Sequence, residues 1–397
     1  MSKMGRFVVE THGHITTLYD SVDPVTDEYW TGLPMAPGSG EVEAVDNSGL
    51  TLWDMECYGV DMVLLYPSMI GTTNEGQLKL CEAYPDKFRA FCCDGGTRLE
   101  AHRGGKPWTL ERAAAEVEAC LKTGKYIGIG EHNPRDYSRT TPYTFEERFN
   151  EHRIFFELAR KYDVPIAIHD VVGGGGFQFD AWVLLGQLIN TYPDVKVVIN
   201  HGGHSIGAYI YDDSIVRKCL SIAGRARILA GGVPNVYLEI GTWTADMMRL
   251  AMDDPNVGPT QLLWGGDYGN VPQYLTTDER RDGKMPASFC TSMKRWRPVP
   301  DYHTDWWGWQ VHEINKLKSW YSQDEINLIV GGNAAKLFRL PVPYERMFIS
   351  GRPDIFGIHY EKSNPYIPIE QVMYPDDKRV NKALLEERKK NPPKWGV

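Results

Sequence analysis

Short apolar segments alternate with segments of helical periodicity along most of the chain. Eight apolar segments have the length of buried strands, and they occupy residues 7–15, 62–67, 88–93, 126–131, 164–169, 195–201, 235–241 and 261–267. The helical segments occupy residues 48–58, 74–84, 110–123, 145–161, 181–191, 214–229, 244–252 and 324–338. Strands that alternate with helices form parallel βαβ units, and eight such units close a (β/α)8 barrel. The pattern therefore predicts an α/β fold of the TIM-barrel class, with long loop insertions and a C-terminal extension.

The predicted barrel covers residues 1–339, and two long stretches interrupt its alternation. Residues 16–46 carry three prolines and no sustained period, so they are expected to form a long loop of the kind that often acts as a lid. Residues 268–322 form the second insertion and contain the sequence DWWGW. Residues 340–397 are expected to pack on the barrel or on a neighbouring subunit. An open doubly wound sheet is the alternative, but no G-x-G-x-x-G sequence follows the first strand.

The charge of the chain argues against two classes of partner. Its formal net charge is -9 at pH 7, whereas nucleic acid or an anionic membrane surface would require a concentrated basic patch. No stretch approaches the roughly 18 apolar residues that a membrane-spanning helix needs. The first residues lead into a strand without a signal-type apolar region, so a cytoplasmic location is expected. The seven cysteines are irregularly spaced and predict neither a disulfide framework nor a C-x-x-C zinc site.

Potential metal ligands stand at the ends of several predicted strands. The first strand carries Glu10, His12 and His14, whose side chains share one face because residues two apart in a strand do so. Later strands end in Glu131, His169, His201 and Asp267. The C-terminal ends of the strands form the active-site face of a (β/α)8 barrel, so these side chains are expected to converge. Imidazoles and carboxylates together suit zinc, iron or manganese, whereas calcium and magnesium prefer oxygen ligands.

Five segments carry a resemblance to a known family. They are ETHGH at 10–14, PIAIHD at 165–170, VVINHGG at 197–203, LLWGGDYGN at 262–270 and GGNAAKLF at 331–338. In this order they resemble the amidohydrolase superfamily, specifically the branch that includes aminocarboxymuconate semialdehyde decarboxylase and the resorcylate-type decarboxylases.

The resemblance implies a role for each strand-end residue. The implied metal ligands are His12, His14, His169 and Asp267, with Glu10 in place of one histidine in some members. His201 would be the catalytic acid or base, and Asp267 would ligate the metal or assist as a base. A site of this kind holds one ion.

Glu131 departs from the pattern of the mononuclear decarboxylases, whose fourth strand does not usually end in a carboxylate. It resembles the bridging carboxylate of two-metal members of the superfamily. With this bridge the ligands divide into two sets, His12, His14 and Asp267 for one ion and His169 and His201 for the other. His201 would then be a ligand instead of a free base, so the two alternatives exclude each other. The sequence therefore predicts one or two divalent ions per chain.

Several further residues are candidates for contacts with the substrate. They are His132, Arg135, His204, Trp243 and Trp307. An arginine can bind a substrate carboxylate with bidentate geometry, and tryptophans can wall a pocket. Hydrogen bonding within the fold and core packing are the alternative roles of these histidines and tryptophans. Glu131 likewise has the alternative of an ion pair with Arg135 or Arg139, or of a hydrogen bond to a ligating histidine.

Two enzymatic functions follow, and both act on a small-molecule substrate. The first is a nonoxidative metal-dependent decarboxylase or hydrolase for a carboxylic acid with an aromatic or polycyclic body. The alternative is a nonheme diiron monooxygenase that hydroxylates a C–H bond with a Glu131-bridged site on the same barrel. A third hypothesis, a barrel that has lost its chemistry and serves as a binding protein, is disfavoured by the strand-end ligands. A homodimer is expected from the family resemblance and from the long C-terminal extension.

Overall fold

The structure of the protein, a computed structural model, describes residues 7–20, 42–46, 48–67, 73–102, 104–133, 141–169, 181–203, 213–241, 243–266, 268 and 306–342. Arg135, His204 and Asp267 lie outside these residues, as does most of the insertion that follows the eighth predicted strand. The C-terminal extension beyond residue 342 also lies outside them, so its packing stays a prediction. Among the described residues, no helix combines the length and the apolar character that crossing a membrane requires.

Ten strands occur in the described part of the chain, and eight of them run parallel. In chain order they are β1 (Val9–Gly13), β2 (Thr16–Asp20), β3 (Val42–Asp46), β4 (Met62–Leu65), β5 (Phe88–Ala90), β6 (Ile129–His132), β7 (Ile166–Ile168), β8 (Val197–Ile199), β9 (Val236–Glu239) and β10 (Leu262–Leu263). The parallel strands are the eight that the sequence pattern predicts. β2 and β3 pair antiparallel inside the stretch predicted to be a loop, so that prediction is wrong for these residues.

Helices fill most of the connections between the parallel strands. They are α1 (Ser48–Tyr58), α2 (Asn74–Ala83), α3 (Gly95–His102), α4 (Leu110–Lys122), α5 (Phe145–Tyr162), α6 (Ala181–Thr191), α7 (Asp213–Leu229), α8 (Ala245–Met252), α9 (Trp306–Leu317), α10 (Gln323–Asn327) and α11 (Asn333–Leu337). The pattern does not predict α3 and α9. The single helix predicted at residues 324–338 is divided by a π-helical turn at Leu328–Gly332.

The parallel strands form two sheets that meet at both edges. Their orders are β1-β4-β5 and β10-β9-β8-β7-β6. At one edge Gly13 bridges to Tyr268, and at the other Cys92 bridges to Ile129. The backbone N–H of Tyr268 donates to the carbonyl oxygen of His12 over 2.9 Å, which joins the first strand to the last. The eight strands thus close the barrel that their number predicts.

Alternate strand residues fill two separate cores. Val9, Leu64 and Val198 belong to the smaller core cluster, which lies inside the barrel. Their neighbours Val63 and Val197 belong to the larger cluster, which lies between the strands and the surrounding helices. Side chains of a strand point alternately to its two faces, and both faces of a barrel strand are covered. This burial explains why the strands read as continuous apolar runs and not as alternating ones.

Helix α5 begins with a capping box that makes its stability testable. Thr144 Oγ1 accepts a hydrogen bond from the N–H of Glu147 over 3.2 Å, and Glu147 Oε2 accepts one from the N–H of Thr144 over 2.8 Å. Replacing Thr144 with Ala should lower the free energy of unfolding by about 1 kcal/mol because the first turn loses its acceptor. Urea unfolding measures the change. An equal loss in Thr191→Ala, at the exposed end of α6, would contradict a specific role for the cap.

Candidate metal centre

Strand β1 presents two imidazoles on one face of the strand. His12 and His14 are two residues apart, so both side chains leave the strand on the same side. Their Nε2 atoms lie 3.1 Å apart, and both side chains are buried. The alternation of the strand thus brings the two rings together at the end of the barrel where catalytic residues of this fold collect.

The other ring nitrogen of each histidine is held by an acceptor. Nδ1 of His14 donates to the carbonyl oxygen of Tyr66 over 3.0 Å, and Nδ1 of His12 donates to Oε2 of Glu239 over 2.6 Å. A carbonyl oxygen and a carboxylate only accept, so each Nδ1 carries a hydrogen. In the neutral ring, which is the form that binds a metal, each Nε2 then carries a lone pair. Two lone pairs that face each other repel. A cation bound between the two Nε2 atoms would therefore stabilise this arrangement.

One carboxylate lies among four imidazoles. Glu131 lies near the end of β6, and its Oε1 is 3.1 Å from Nε2 of His201 and 3.2 Å from Nε2 of His12. The same oxygen is 3.6 Å from Nε2 of His169, and Oε2 is 3.6 Å from Nε2 of His14. The Nε2 atoms of four histidine rings therefore surround the two carboxylate oxygens of Glu131.

The turn after β8 aims the ring of His201 at Glu131. His201 has a φ of 52° and Gly202 a φ of 57°, in the left-handed region that residues with a side chain rarely adopt. A Cβ atom on Gly202 would overlap Nε1 of the buried Trp243. The sequence HGG at 201–203 therefore permits a tight turn that packs on Trp243. A residue with a side chain in place of Gly202 would disrupt this turn.

The spacing of the ligand atoms fits two metal ions. Two atoms that each lie about 2.1 Å from one ion are separated by roughly 3.0–3.4 Å at octahedral or tetrahedral angles. The distances of 3.1–3.6 Å around Glu131 lie at or slightly above that separation. Two groups that share Glu131 each offer three ligand atoms within 4.8 Å of one another, and these are His12, His14, Glu131 and Glu131, His169, His201. A third such group, without Glu131, consists of His12, His201 and Glu239. Because the first two groups contain Glu131, the described residues can hold two ions on either side of one carboxylate.

The electrostatics of the site favour bound positive charge. Burial alone would lower the pKa of His12, but the charges of Glu239 and Glu131 outweigh burial and raise this pKa well above its usual value. Burial alone would raise the pKa of Glu131, but His169 and His12 outweigh it and lower this pKa well below its usual value. The centre therefore stabilises positive charge next to the ionised Glu131, and a bound proton or a metal ion can supply that charge.

Glu10, a predicted ligand, occupies a different environment. Its Oε1 accepts hydrogen bonds from the backbone N–H groups of His12 over 2.8 Å and of Gly266 over 3.0 Å. Its Oε2 accepts one from Nε1 of Trp307 over 2.7 Å. Burial raises the pKa of Glu10 to about 8, although these three donors lower it. Among the described residues, Glu10 is absent from the groups that could hold an ion. Its contacts hold the backbone and Trp307, so the structure does not place it in the predicted ligand position.

Three residues predicted to contact substrate lie in packed surroundings. His132 is buried against α5, and its Nε2 lies 3.0 Å from Nδ1 of His152. Trp307 is stacked on Tyr268, with ring centroids 3.9 Å apart, and donates to Glu10. Trp243 is fully buried beneath the turn of His201. These environments correspond to the alternative roles that the sequence allows, hydrogen bonding for His132 and core packing for the tryptophans.

Two side chains near the centre carry no strong signal in the sequence. Asn200 is buried, and its Nδ2 donates to Oε1 of Glu131 over 3.4 Å. Glu239 ends β9 and holds the ring of His12, as described above. Both stand at the C-terminal ends of barrel strands, which is the signal that points to them in the sequence. The predicted roles of Asp267, Arg135 and His204 stay predictions because these residues lie outside the described part of the chain.

Comparison with known proteins adds the family. The profile of a family described as Amidohydrolase matches residues 73–340, about two thirds of the chain. The chain belongs to the amidohydrolase family. Membership confirms the predicted superfamily and the barrel class of the fold, and it agrees with a metal-dependent enzyme. The resemblance of this amidohydrolase to the decarboxylase-containing branch stays a prediction.

Three solved structures are similar to this amidohydrolase at low identity. 4-Oxalomesaconate hydratase from Rhodopseudomonas palustris is 15% identical with a TM-score of 0.44, covering 84% of this chain and 96% of that one. Amidohydrolase 2 from Bifidobacterium longum subsp. infantis is 12% identical with a TM-score of 0.39, covering 85% of this chain and 100% of that one. A triazine hydrolase variant is 11% identical with a TM-score of 0.34, and the match covers 72% of this chain and 66% of that one. Comparison with curated proteins finds no match.

Proposed function

We propose that this amidohydrolase is a two-metal hydrolase whose ions are bridged by Glu131. The observation that carries the proposal is the position of this one carboxylate among four Nε2 atoms, at distances of 3.1–3.6 Å. His12 and His14 would hold one ion, and His169 and His201 would hold the other. Bound there, the ions would polarise a substrate oxygen and lower the pKa of a water molecule toward neutrality.

The position of His201 favours hydrolysis over nonoxidative decarboxylation. In a mononuclear decarboxylase His201 would be a free acid or base, but its Nε2 lies 3.1 Å from Oε1 of Glu131. A nitrogen that binds an ion cannot also transfer a proton to the substrate. We therefore assign His201 as a ligand and propose Asp267, directly after Gly266, as the base.

The proposed substrate is a carboxylic acid with an aromatic or polycyclic body. This proposal rests on the tryptophan-rich sequence of the insertion at residues 268–322, and on the arginines of the sequence that could bind the carboxylate. Arg135 is the proposed partner of that carboxylate because it follows the strand that carries Glu131.

A diiron monooxygenase is the second candidate. The observation that favours it is the composition of the centre, in which imidazoles surround one shared carboxylate and none of the described ligand groups contains a thiolate. This ligand set suits iron as well as zinc, and it would serve hydroxylation of a C–H bond by dioxygen. One oxygen atom would enter the product, and a separate two-electron donor with two protons would reduce the other to water. The residues would keep the roles given above, with His201 as a ligand.

Elemental analysis of protein purified without added metal tests both candidates. We expect about two ions per chain, and about one ion in each of His169→Asn and His201→Asn, because each variant loses a ligand of the same ion. One ion per chain, retained in full by His201→Asn, would contradict the two-metal proposal and favour the mononuclear decarboxylase. Zinc or manganese supports hydrolysis. Iron whose absorbance changes when the anaerobic protein meets dioxygen supports the monooxygenase.

A further inference from the structure

We propose that Glu239 is a positioning residue that sets the ring of His12 for metal binding, whereas the neighbouring Glu10 contacts only the backbone of that histidine. The inference rests on the proposed metal site, and it assigns different tasks to two buried acids that flank one histidine. Both acids are completely buried, as is His12.

The distance between His12 and Glu239 identifies a hydrogen bond and not a shared ion. Nδ1 of His12 and Oε2 of Glu239 are 2.6 Å apart. Two atoms bound to the same ion would be separated by roughly 3 Å or more, since each lies about 2.1 Å from the metal. Glu239 belongs to a group of ligand-type residues with His12 and His201. The short distance nevertheless places a proton, not a metal, between the carboxylate and the ring.

This hydrogen bond selects the tautomer of His12 that can bind an ion. With the hydrogen on Nδ1, the lone pair of Nε2 faces Oε1 of Glu131 at 3.2 Å and Nε2 of His14 at 3.1 Å. The opposite tautomer would direct an N–H group into the metal position and leave the carboxylate of Glu239 without its donor. A carboxylate at Nδ1 also makes the ring a stronger electron donor, because negative charge at one nitrogen raises the basicity of the other.

Glu10 touches the same histidine without reaching its ring. Its oxygens accept from the backbone of His12, the backbone of Gly266 and Nε1 of Trp307. Both acids approach the same residue, Gly265, just after the last strand. A Cβ atom built on Gly265 would lie 3.0 Å from Oε1 of Glu10 and 3.1 Å from Cγ of Glu239. The two carboxylates are therefore matched in burial and in location, and they differ in which part of His12 they hold.

The matched variants Glu239→Gln and Glu10→Gln test the assignment. Each replaces one buried carboxyl group with a neutral amide of almost the same volume. We expect Glu239→Gln to weaken binding of the ion held by His12 about 10- to 100-fold, the usual effect of losing a carboxylate partner of a ligating histidine. Chelator competition with Zn²⁺ measures this affinity, and the visible spectrum of the Co²⁺-loaded protein reports the changed ligand field. Glu10→Gln should lower the unfolding temperature but leave both metal readouts as in the unmodified protein.

The outcomes separate this inference from the proposed function. Wild-type Zn²⁺ affinity and an unchanged Co²⁺ spectrum in Glu239→Gln would overturn the positioning role. An equal loss of affinity in Glu10→Gln would also overturn it, because Glu10 would then act on the metal. A wild-type protein that binds a single ion would contradict the two-metal proposal, yet the comparison of the two variants would stand because His12 is a ligand in either case. If Glu239→Gln does not fold, Glu239→Asp, which withdraws the carboxylate from Nδ1, is expected to weaken Zn²⁺ binding in the same way.

Discussion

Replacing Glu131 with Gln is expected to abolish the proposed two-ion centre. An amide is neutral and has one oxygen, so it cannot supply the anionic pair of oxygens that the four imidazoles approach at 3.1–3.6 Å. The NH2 group of the new glutamine would also face an Nε2 atom whose lone pair is proposed to bind metal. We expect the metal content to fall from about two ions per chain to one or fewer. Loss of a direct ligand should reduce affinity by more than the roughly 100-fold that loss of an indirect partner causes.

Metal content and substrate turnover are the measurements for Glu131→Gln. The matched control is Glu157→Gln, which removes an exposed carboxylate of α5 that pairs with Arg153. This control should bind metal as the unmodified protein does, since surface ion pairs contribute little. Two ions bound by Glu131→Gln with wild-type affinity would contradict the bridge. That result would show that the two ions are held by ligands other than a shared Glu131.

Gly202→Ala is expected to produce the largest loss of stability among the substitutions considered. Gly202 has a φ of 57°, and a Cβ atom there would overlap Nε1 of Trp243. Trp243 is completely buried, so its ring has little room to move. Overpacking and the unfavourable φ together should cost roughly 3 kcal/mol of unfolding free energy. Because the same turn aims His201 at Glu131, the variant should also lose the ion that His201 is proposed to hold.

Urea unfolding of the metal-free protein and elemental analysis check this prediction. Gly186→Ala is the matched control, because nothing lies within 4 Å of the position where its Cβ would be built. In the interior of α6 this change should stabilise the protein by about 0.5–1 kcal/mol. Gly202→Ala with the stability and the metal content of the unmodified protein would show that the turn tolerates a side chain and that its packing on Trp243 is unimportant.

The local pattern of the sequence encodes most of the barrel. All eight apolar segments are strands of the barrel, and α1 and α6 have the predicted bounds of 48–58 and 181–191. Strands buried on both faces need continuous apolar runs, and helices that cover them need one apolar face. Each type of element can therefore be recognised by its hydrophobic pattern in the sequence. The closing of the ring then follows from the number of units.

The elements that the pattern misses depend on contacts with distant parts of the chain. Helix α9 begins in a sequence rich in Trp and Gly, which have modest or low helix propensity. It is held by tertiary packing, because Trp307 stacks on Tyr268 and donates to Glu10. The β2–β3 hairpin joins two segments of a stretch whose prolines and glycines predict a loop. Neither contact can be recognised from periodicity within a short window.

By itself the sequence determines which ligand-type side chains stand at the ends of the barrel strands. A strand alternates its faces and a barrel gathers its strand ends, and this rule selects His12, His14, Glu131, His169 and His201, which do converge. It also selects Glu10, which does not join them, and the pairing register of β1 shifts between Glu10 and Gly13. The tertiary structure alone decides what each carboxylate does there. Glu10 and Glu239 are both buried acids beside His12, and the second lies 227 residues away in the chain. The carboxyl group of Glu10 contacts the backbone of His12, and that of Glu239 contacts its ring. This difference depends on distances of a few tenths of an ångström across neighbouring strands, and those distances cannot be inferred from the spacing of residues along the chain.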